Sequence, residues 1–261
     1  MLFPRIIPCL LVRNKGLVKT FKFGEHKYVG DPLNAVRIFN EKQVDELMVV
    51  DIDATVQNRE PDYKMIENLA MECRMPLCYG GGIKNPDQAS RIFGLGVEKI
   101  ALSSAVIAEP KLISDIAKRV GNQSVIVVLD VSKTLLGGYK LFTHNGKKKT
   151  GMDPVQFAKQ AEDLGAGEIV VNNIDRDGMM NGYDFELIDR IRNATSIPMT
   201  VLGGAGSLTD VGELIRRHSI IGAAAGSLFV FKGVHKAVLI NYPNPSEKQA
   251  LIDTYFKSTS L

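Results

Sequence analysis

The sequence predicts a (β/α)8 barrel. Short, nearly continuous apolar runs alternate with amphipathic stretches along the whole chain, the pattern of strands buried on both faces of a parallel sheet. The 261 residues suit one closed barrel of ~250 residues. The two halves also repeat each other. Asp31-Pro32 recurs as Asp153-Pro154, Glu46-Leu47-Met48-Val49 as Glu168-Ile169-Val170-Val171, Ile52-Asp53 as Ile174-Asp175, and Gly80-Gly81 as Gly203-Gly204. The unit is too long for a solenoid repeat. We read one domain over 1–261, with half-barrels at about 1–122 and 123–241 and a tail at 242–261.

Taken in order, the first strand is Arg5 to Val12, an almost unbroken apolar run. Arg13 to Gly30 reads as a long polar active-site loop, with Lys19 in it, although a lone loop lysine is usually just solvated. Asp31-Pro32 starts the first helix as cap and first-turn proline, with Ala35, Val36, Ile38 and Phe39 as its buried stripe. The second strand, Glu46 to Asp51, ends in Asp51-Ile52-Asp53. A helix follows at about Met65 to Cys73. The third strand, Leu77 to Tyr79, runs into Gly80-Gly81-Gly82, and Pro86 to Leu95 is helical.

Lys99 to Leu102 forms the fourth strand and ends in Ser103-Ser104, which reads either as phosphate contacts or as a helix cap. A helix covers Pro110 to Val120. The fifth strand, Ser124 to Asp130, is followed by a hairpin insertion from Gly137 to Gly151. Helix five begins at Asp153-Pro154, and the sixth strand is Glu168 to Asn172, leading to Asp175-Arg176-Asp177-Gly178. Asp184 to Asn193 is helical. The seventh strand, Met199 to Leu202, ends in Gly203-Gly204-Ala205-Gly206, before a helix from Leu208 to Arg217. The eighth, Ile221 to Ala224, leads into Ala225-Gly226-Ser227. A last helix is expected near Glu247 to Phe256.

Composition narrows the function classes. Apolar residues at 45% and charged residues at 23% are those of an ordinary globular protein, and a net charge of +3 does not suggest a nucleic-acid surface. The one dense basic run, Lys147-Lys148-Lys149, follows the turn signal Asn145-Gly146 and reads as a solvated hairpin end. Three cysteines, Cys9, Cys73 and Cys78, form no disulfide framework and suit a reducing cytoplasm; each reads as a small buried residue. The four histidines, His26, His144, His218 and His235, are scattered without metal-ligand spacing, so neither metal nor cofactor is expected. No apolar run reaches the ~18 residues of a membrane helix.

In a (β/α)8 barrel the active site lies at the C-terminal ends of the strands. Asp51, Asp130 and Asp177 fall there. Asp130 is the strongest catalytic candidate, although an aspartate in that place can also be a structural hydrogen-bond acceptor. Strand, glycine turn and helix start is the arrangement that closes backbone N–H groups around phosphate. Two tight turns is the plainer reading of either glycine cluster alone. Together, Gly81 and Gly82 with Ser103 and Ser104, and Gly203 and Gly204 with Gly226 and Ser227, suggest a ligand with a phosphate at each end and proton transfer between them.

Beyond these features, Arg5-Ile6-Ile7-Pro8-Cys9-Leu10, Gly30-Asp31-Pro32, Asp45-Glu46-Leu47, Gly80-Gly81-Gly82-Ile83, Gly165-Ala166-Gly167-Glu168-Ile169, Asp175-Arg176-Asp177-Gly178 and Gly203-Gly204-Ala205-Gly206 together resemble the HisF family. HisF is the cyclase subunit of imidazole glycerol phosphate synthase. The likeness runs from about residue 3 to 232. It implies a HisH-like glutaminase docked under the barrel, ammonia passing up through it, and a bisphosphate substrate at the top. Asp130 matches one aspartate of the family's acid/base pair, but the other position is Leu11. Lys19, Asp51 and Asp177 match active-site positions. Ser103-Ser104 stands where the family has Asn-Thr, and Met179 where it has threonine. Arg5, Glu46, Lys99 and Glu168 match the charged ring at the ammonia entrance, which also reads as a salt-bridge ring closing the barrel base.

Leu10-Leu11, Gly16-Leu17-Val18-Lys19-Thr20, Lys27-Tyr28-Val29-Gly30 and Gly226-Ser227-Leu228-Phe229-Val230-Phe231 resemble a divergent branch of the family found in bacterial surface-polysaccharide gene sets. There a sugar amidotransferase is thought to use the ammonia to make an acetamidino group. Three readings follow: an ammonia-supplying subunit for sugar amidination, a true cyclase of histidine synthesis, and a non-catalytic subunit that activates a glutaminase.

Overall fold

A computed structural model describes residues 3–134 and 137–256. Its elements in chain order are β1 (Arg5–Arg13), β2 (Gly16–Thr20), β3 (His26–Gly30), α1 (Pro32–Glu41), β4 (Leu47–Asp51), α2 (Tyr63–Glu72), β5 (Leu77–Gly80), α3 (Pro86–Gly94), β6 (Lys99–Leu102), α4 (Ser104–Ala108) and α5 (Lys111–Val120). Then come β7 (Val125–Lys133), β8 (Tyr139–Thr143), β9 (Lys148–Lys149), α6 (Pro154–Asp163), β10 (Glu168–Asn173), α7 (Phe185–Arg192), β11 (Met199–Leu202), α8 (Leu208–His218), β12 (Gly222–Ala225), α9 (Ser227–Val230), β13 (Phe231–Lys232), β14 (Ala237–Val238) and α10 (Pro245–Tyr255).

Eight of the strands close a parallel barrel. The order is β1-β4-β5-β6-β7-β10-β11-β12, and β12 pairs back onto β1 with Arg5 opposite Gly222. Strand alternation splits the apolar side chains into two cores. Ile6, Leu10, Leu47, Val49, Val127 and Leu129 face outward and pack under the helices. Ile7, Cys9, Met48, Cys78, Ala101, Ile126, Val170 and Ala224 fill the interior, with Leu11, Val50, Val128 and Leu202 packed against them. The inner positions include alanines and cysteines, because eight converging strands leave little room for large side chains.

The half-barrel repeat is visible in the helix starts. Asp31 caps α1 by accepting from the Asn34 N–H, and Pro32 is its first residue. Asp153 caps α6 by accepting from Val155 and Gln156, followed by Pro154. In α1 the buried residues are Pro32, Ala35, Val36 and Phe39, whereas Ile38 is exposed. It lies at the edge of the stripe, not within it.

The expected loop from Arg13 to Gly30 is instead mostly strand. The first strand runs on to Arg13, and Asn14 and Lys15 both take positive φ, the tight-turn geometry that folds β2 back onto β1. β3 then pairs with β2. The fifth strand likewise continues past Asp130 to Lys133, where β8 joins it antiparallel. Both hairpins rise over the same end of the barrel. The tail is tied to the opposite end: Tyr242 Oη donates to the Ile6 carbonyl at 2.9 Å, and Lys248 Nζ lies 2.6 Å from Asp45. α10 packs on α8, with the Tyr255 ring over Gly212, where a Cβ would come within 2.4 Å of the ring. The expected helix at Glu247–Phe256 is thus α10. Residues 257–261 lie outside the described part.

Candidate active site

At the C-terminal end of the strands a cavity of about 410 Å3 opens, lined by Leu11, Lys19, Asp51, Gly81, Gly82, Ser103, Ser104, Asp130, Asn172, Asp177 and Gly226 among others. These residues come from β1, β2, β4 to β7, β10 and the turns after them. Elements far apart in sequence therefore bring most of the predicted mouth residues into one space.

Asp130 is held from two sides. Asn172 Nδ2 donates to its Oδ1 at 2.8 Å, and Ser103 Oγ donates to its Oδ2 at 3.2 Å. Burial pushes the carboxyl up to about 6, although these two hydrogen bonds pull the other way; the Asp177 charge adds to the rise. A carboxyl poised there can both give and take a proton near neutral pH.

Lys19 departs from the expectation of a solvated loop lysine. It is 4% exposed. Its Nζ lies 2.6 Å from Asp177 Oδ1, and Thr20 Oγ1 donates to Asp177 Oδ2 at 2.8 Å. Strand alternation on β2 turns Lys19 inward to meet the loop after β10. Asp51 spends its carboxylate locally, accepting from the Asp53 and Ala54 N–H groups at 3.0 Å, with Arg59 3.7 Å away. Burial raises its pKa, and those backbone hydrogen bonds oppose the rise.

The glycine turns cannot take side chains. Gly81 has φ +116, and a Cβ there would lie 2.4 Å from the Asp51 carbonyl oxygen; Gly204 has φ +120, and its Cβ would lie 2.1 Å from that of Gly182. A smaller cleft is lined by Lys19, Asp177, Gly203, Gly204, Gly226 and Ser227. Ser227 Oγ is buried there and has no hydrogen-bond partner among the described residues. An orphaned hydroxyl among small residues is the donor an anion would use. Gly204→Ala is expected to destabilise the fold by at least about 2 kcal/mol, from strained φ plus overlap with backbone. Urea unfolding measures it.

The two serines after β6 are otherwise engaged. Ser103 Oγ is turned to Asp130, and Ser104 Oγ accepts from the His144 N–H at 3.4 Å. Neither caps α4 with its side chain. Sequence reasoning missed the hairpin residues Phe23, Gly24, His144 and Asn145, and also Asn172, all of which line the cavity. Lys147, read as part of a solvated hairpin end, lines it too, while Lys148 and Lys149 are exposed. The Asn145-Gly146 turn was the available signal, but where it points depends on β8 pairing with β7.

Arg5, Glu46, Lys99 and Glu168 gather at the other end. Arg5 reaches Glu46 at 2.5 Å and Glu168 at 2.7 Å, and Lys99 reaches them at 2.8 and 3.2 Å. Thr200, fully buried and not anticipated, donates its hydroxyl to Glu168. The result is a closed square of alternating charge at the strand starts.

Titratable groups gathered at the C-terminal mouth of a closed (β/α)8 barrel are the layout of a barrel enzyme. More narrowly, the chain belongs to the histidine biosynthesis protein family, whose model matches residues 5–235. A Leptospira interrogans protein provisionally named imidazole glycerol phosphate synthase subunit HisF is 61% identical over 252 residues, 96% of this chain and 99% of the relative. A similarly provisional HisF of Vibrio vulnificus is 58% identical over 97% of this chain and 98% of its own. The imidazole glycerol phosphate synthase subunit HisF of Natranaerobius thermophilus is 36% identical over 93% and 96%. Among the described residues, no helix is long and apolar enough to cross a membrane.

Proposed function

We propose that this chain is a HisF-type synthase subunit that receives ammonia from a HisH-like glutaminase at its base and joins it to a phosphorylated substrate at its mouth. One observation carries the reading: the charge square at the strand starts and the Asp130 cavity lie at opposite ends of one barrel interior lined by apolar side chains. Ser227, with its free hydroxyl, and the glycine turns support a phosphorylated ligand. The names of the relatives favour the imidazole glycerol phosphate synthase reaction over amidination of a polysaccharide sugar.

Leu11 favours the amidination reading as the second. It lines the cavity among Cys9, Val50, Val128 and Leu202, and cannot move a proton. If cyclisation runs here, Asp130 lacks a carboxylate partner on β1. Leu11→Asp is then expected to raise ammonium-driven turnover by about 10²-fold, at a stability cost of about 2 kcal/mol for an added polar group. The deciding experiment supplies the HisF substrate, phosphoribulosyl-formimino aminoimidazole carboxamide ribonucleotide, with an ammonium salt, and follows imidazole glycerol phosphate. Turnover by the unaltered protein supports the cyclase. A folded protein that stays inert, and stays inert as Leu11→Asp, moves the reading to ammonia supply for a sugar amidotransferase.

A further inference from the structure

The family likeness leaves the mouth without a second acid/base group beside Asp130, because Leu11 stands at that position. Joining ammonia to a carbonyl carbon with loss of water forms a C–N bond and breaks a C–O bond. Two protons leave nitrogen and two reach the departing oxygen, with no oxidant or reductant. One carboxyl cannot conveniently do both jobs at once, and Leu11 can do neither.

The other ionisable groups lining the cavity are committed elsewhere. Lys19 and Asp177 pair with each other at 2.6 Å. Asp51 accepts two backbone N–H groups and faces Arg59. Arg13 lies 3.5 Å from Asp53. Burial pushes the Cys9 thiol up to about 12, out of working range. Lys147 is exposed on the hairpin tip.

His144 is left. It lines the same cavity, half-buried, and forms no salt bridge among the described residues. Its Nδ1 lies 3.0 Å from Thr143 Oγ1, which engages one nitrogen of the ring, and Nε2 has no hydrogen-bond partner among the described residues. Its backbone N–H is bonded to Ser104, next to the serine that donates to Asp130. The backbone at His144 is in the left-handed region, φ +54, as are Asn145 and Gly146. The hairpin tip is therefore a tight turn whose side chains are set by its geometry. Gly146 packs close to Phe23, so the two hairpins meet over the mouth.

The geometry points to His144 as the second proton-transfer group of the mouth, lining the same cavity as Asp130 and acting on a substrate whose carbonyl carbon accepts ammonia. This rests on the ammonia-dependent synthase reading above. Imidazole suits the task because one ring nitrogen can donate a proton while the other accepts one.

The test uses the full chain with the ribonucleotide named above and ammonium chloride. His144→Asn is the clean variant, since asparagine tolerates the left-handed turn. We expect kcat to fall about 10²-fold, KM to change little, and one limb of the pH–rate profile to disappear. His144→Asn with full kcat and both limbs overturns the assignment. An inert unaltered protein would sink the cyclase reaction without touching His144. The His144 ring resonances, followed by 15N NMR as the ribonucleotide is added, then decide: they should shift on binding. Resonances that stay in place overturn the assignment. Equal unfolding midpoints for His144→Asn and the unaltered protein separate lost chemistry from lost folding.

Discussion

Replacing Asp130 with asparagine is expected to lower ammonium-driven turnover at the mouth by about 10²–10⁴-fold. Asparagine keeps the shape and can still accept from Asn172 through its oxygen, while its amide nitrogen can donate to the Ser103 hydroxyl, but it cannot carry a proton. The change should also stabilise the fold. Asp130 titrates near 6 in the folded protein, against about 3.8 for a free aspartate. The folded state therefore binds more protons than the unfolded chain between those values, so stability falls as pH rises from about 4 to 6. At neutral pH the ionised carboxylate costs on the order of 2 kcal/mol, since the group is still partly open to the cavity. The melting temperature of Asp130→Asn should rise by a few degrees at pH 7 and be unchanged at pH 4. In the unaltered protein, an acid limb near pH 6 should appear in the rate profile. A variant that is inactive but no more stable would mean Asp130 is not held in a desolvated site. A variant that is fully active would remove it from the chemistry.

The legible part of this protein is what strand alternation and turn chemistry dictate locally. Asp130 could be placed at a strand end because five apolar residues precede it. Arg5, Glu46, Lys99 and Glu168 were grouped by the resemblance, and each lies at or next to the start of a barrel strand, as a ring requires. The hairpin β2–β3 was not legible. Its turn runs over residues 21–25 with Lys22 and Phe23 at positive φ in place of glycine, and its outer strand is exposed, so no buried pattern marks that strand. Lys19 was matched to an active-site position by resemblance alone, and its burial was not legible for a related reason. Its burial is set by Asp177, which the sequence separates by more than half the chain and the barrel brings within 2.6 Å. Asp51 shows the converse. Its position at a strand end was correctly placed, yet its carboxylate is taken by the backbone two and three residues on.

Arg5→Met should separate the two jobs of the charge square. Glu46 and Glu168 are 3% and 4% exposed, and each is shared between Arg5 and Lys99. Without Arg5, two buried carboxylates must share one ammonium. Breaking one partner of a buried ion pair costs about 3–5 kcal/mol, and the partial exposure of Arg5 brings the expected loss to about 2–4 kcal/mol by urea unfolding. Burial alone would raise the Glu168 pKa, but Arg5 and Lys99, with the hydrogen bonds from Arg5 and Thr200, outweigh it and hold the group below the usual carboxylate range. A depressed value means stability that is present above the unfolded pKa of about 4.5 and lost as pH falls through the folded one. The unaltered protein should therefore lose this contribution on acidification below that point, and Arg5→Met should lose less because it has less to lose. The catalytic readout is independent. With a glutaminase partner, glutamine-driven product formation should drop by at least about tenfold if the square admits ammonia, while ammonium-driven formation stays within about twofold, because the mouth is untouched. Stability lost with both rates intact would make the square a structural closure of the barrel base. Both rates lost together would mean that Arg5→Met disturbs the whole barrel, and Lys99→Met, whose side chain is also partly exposed, would then be the milder probe.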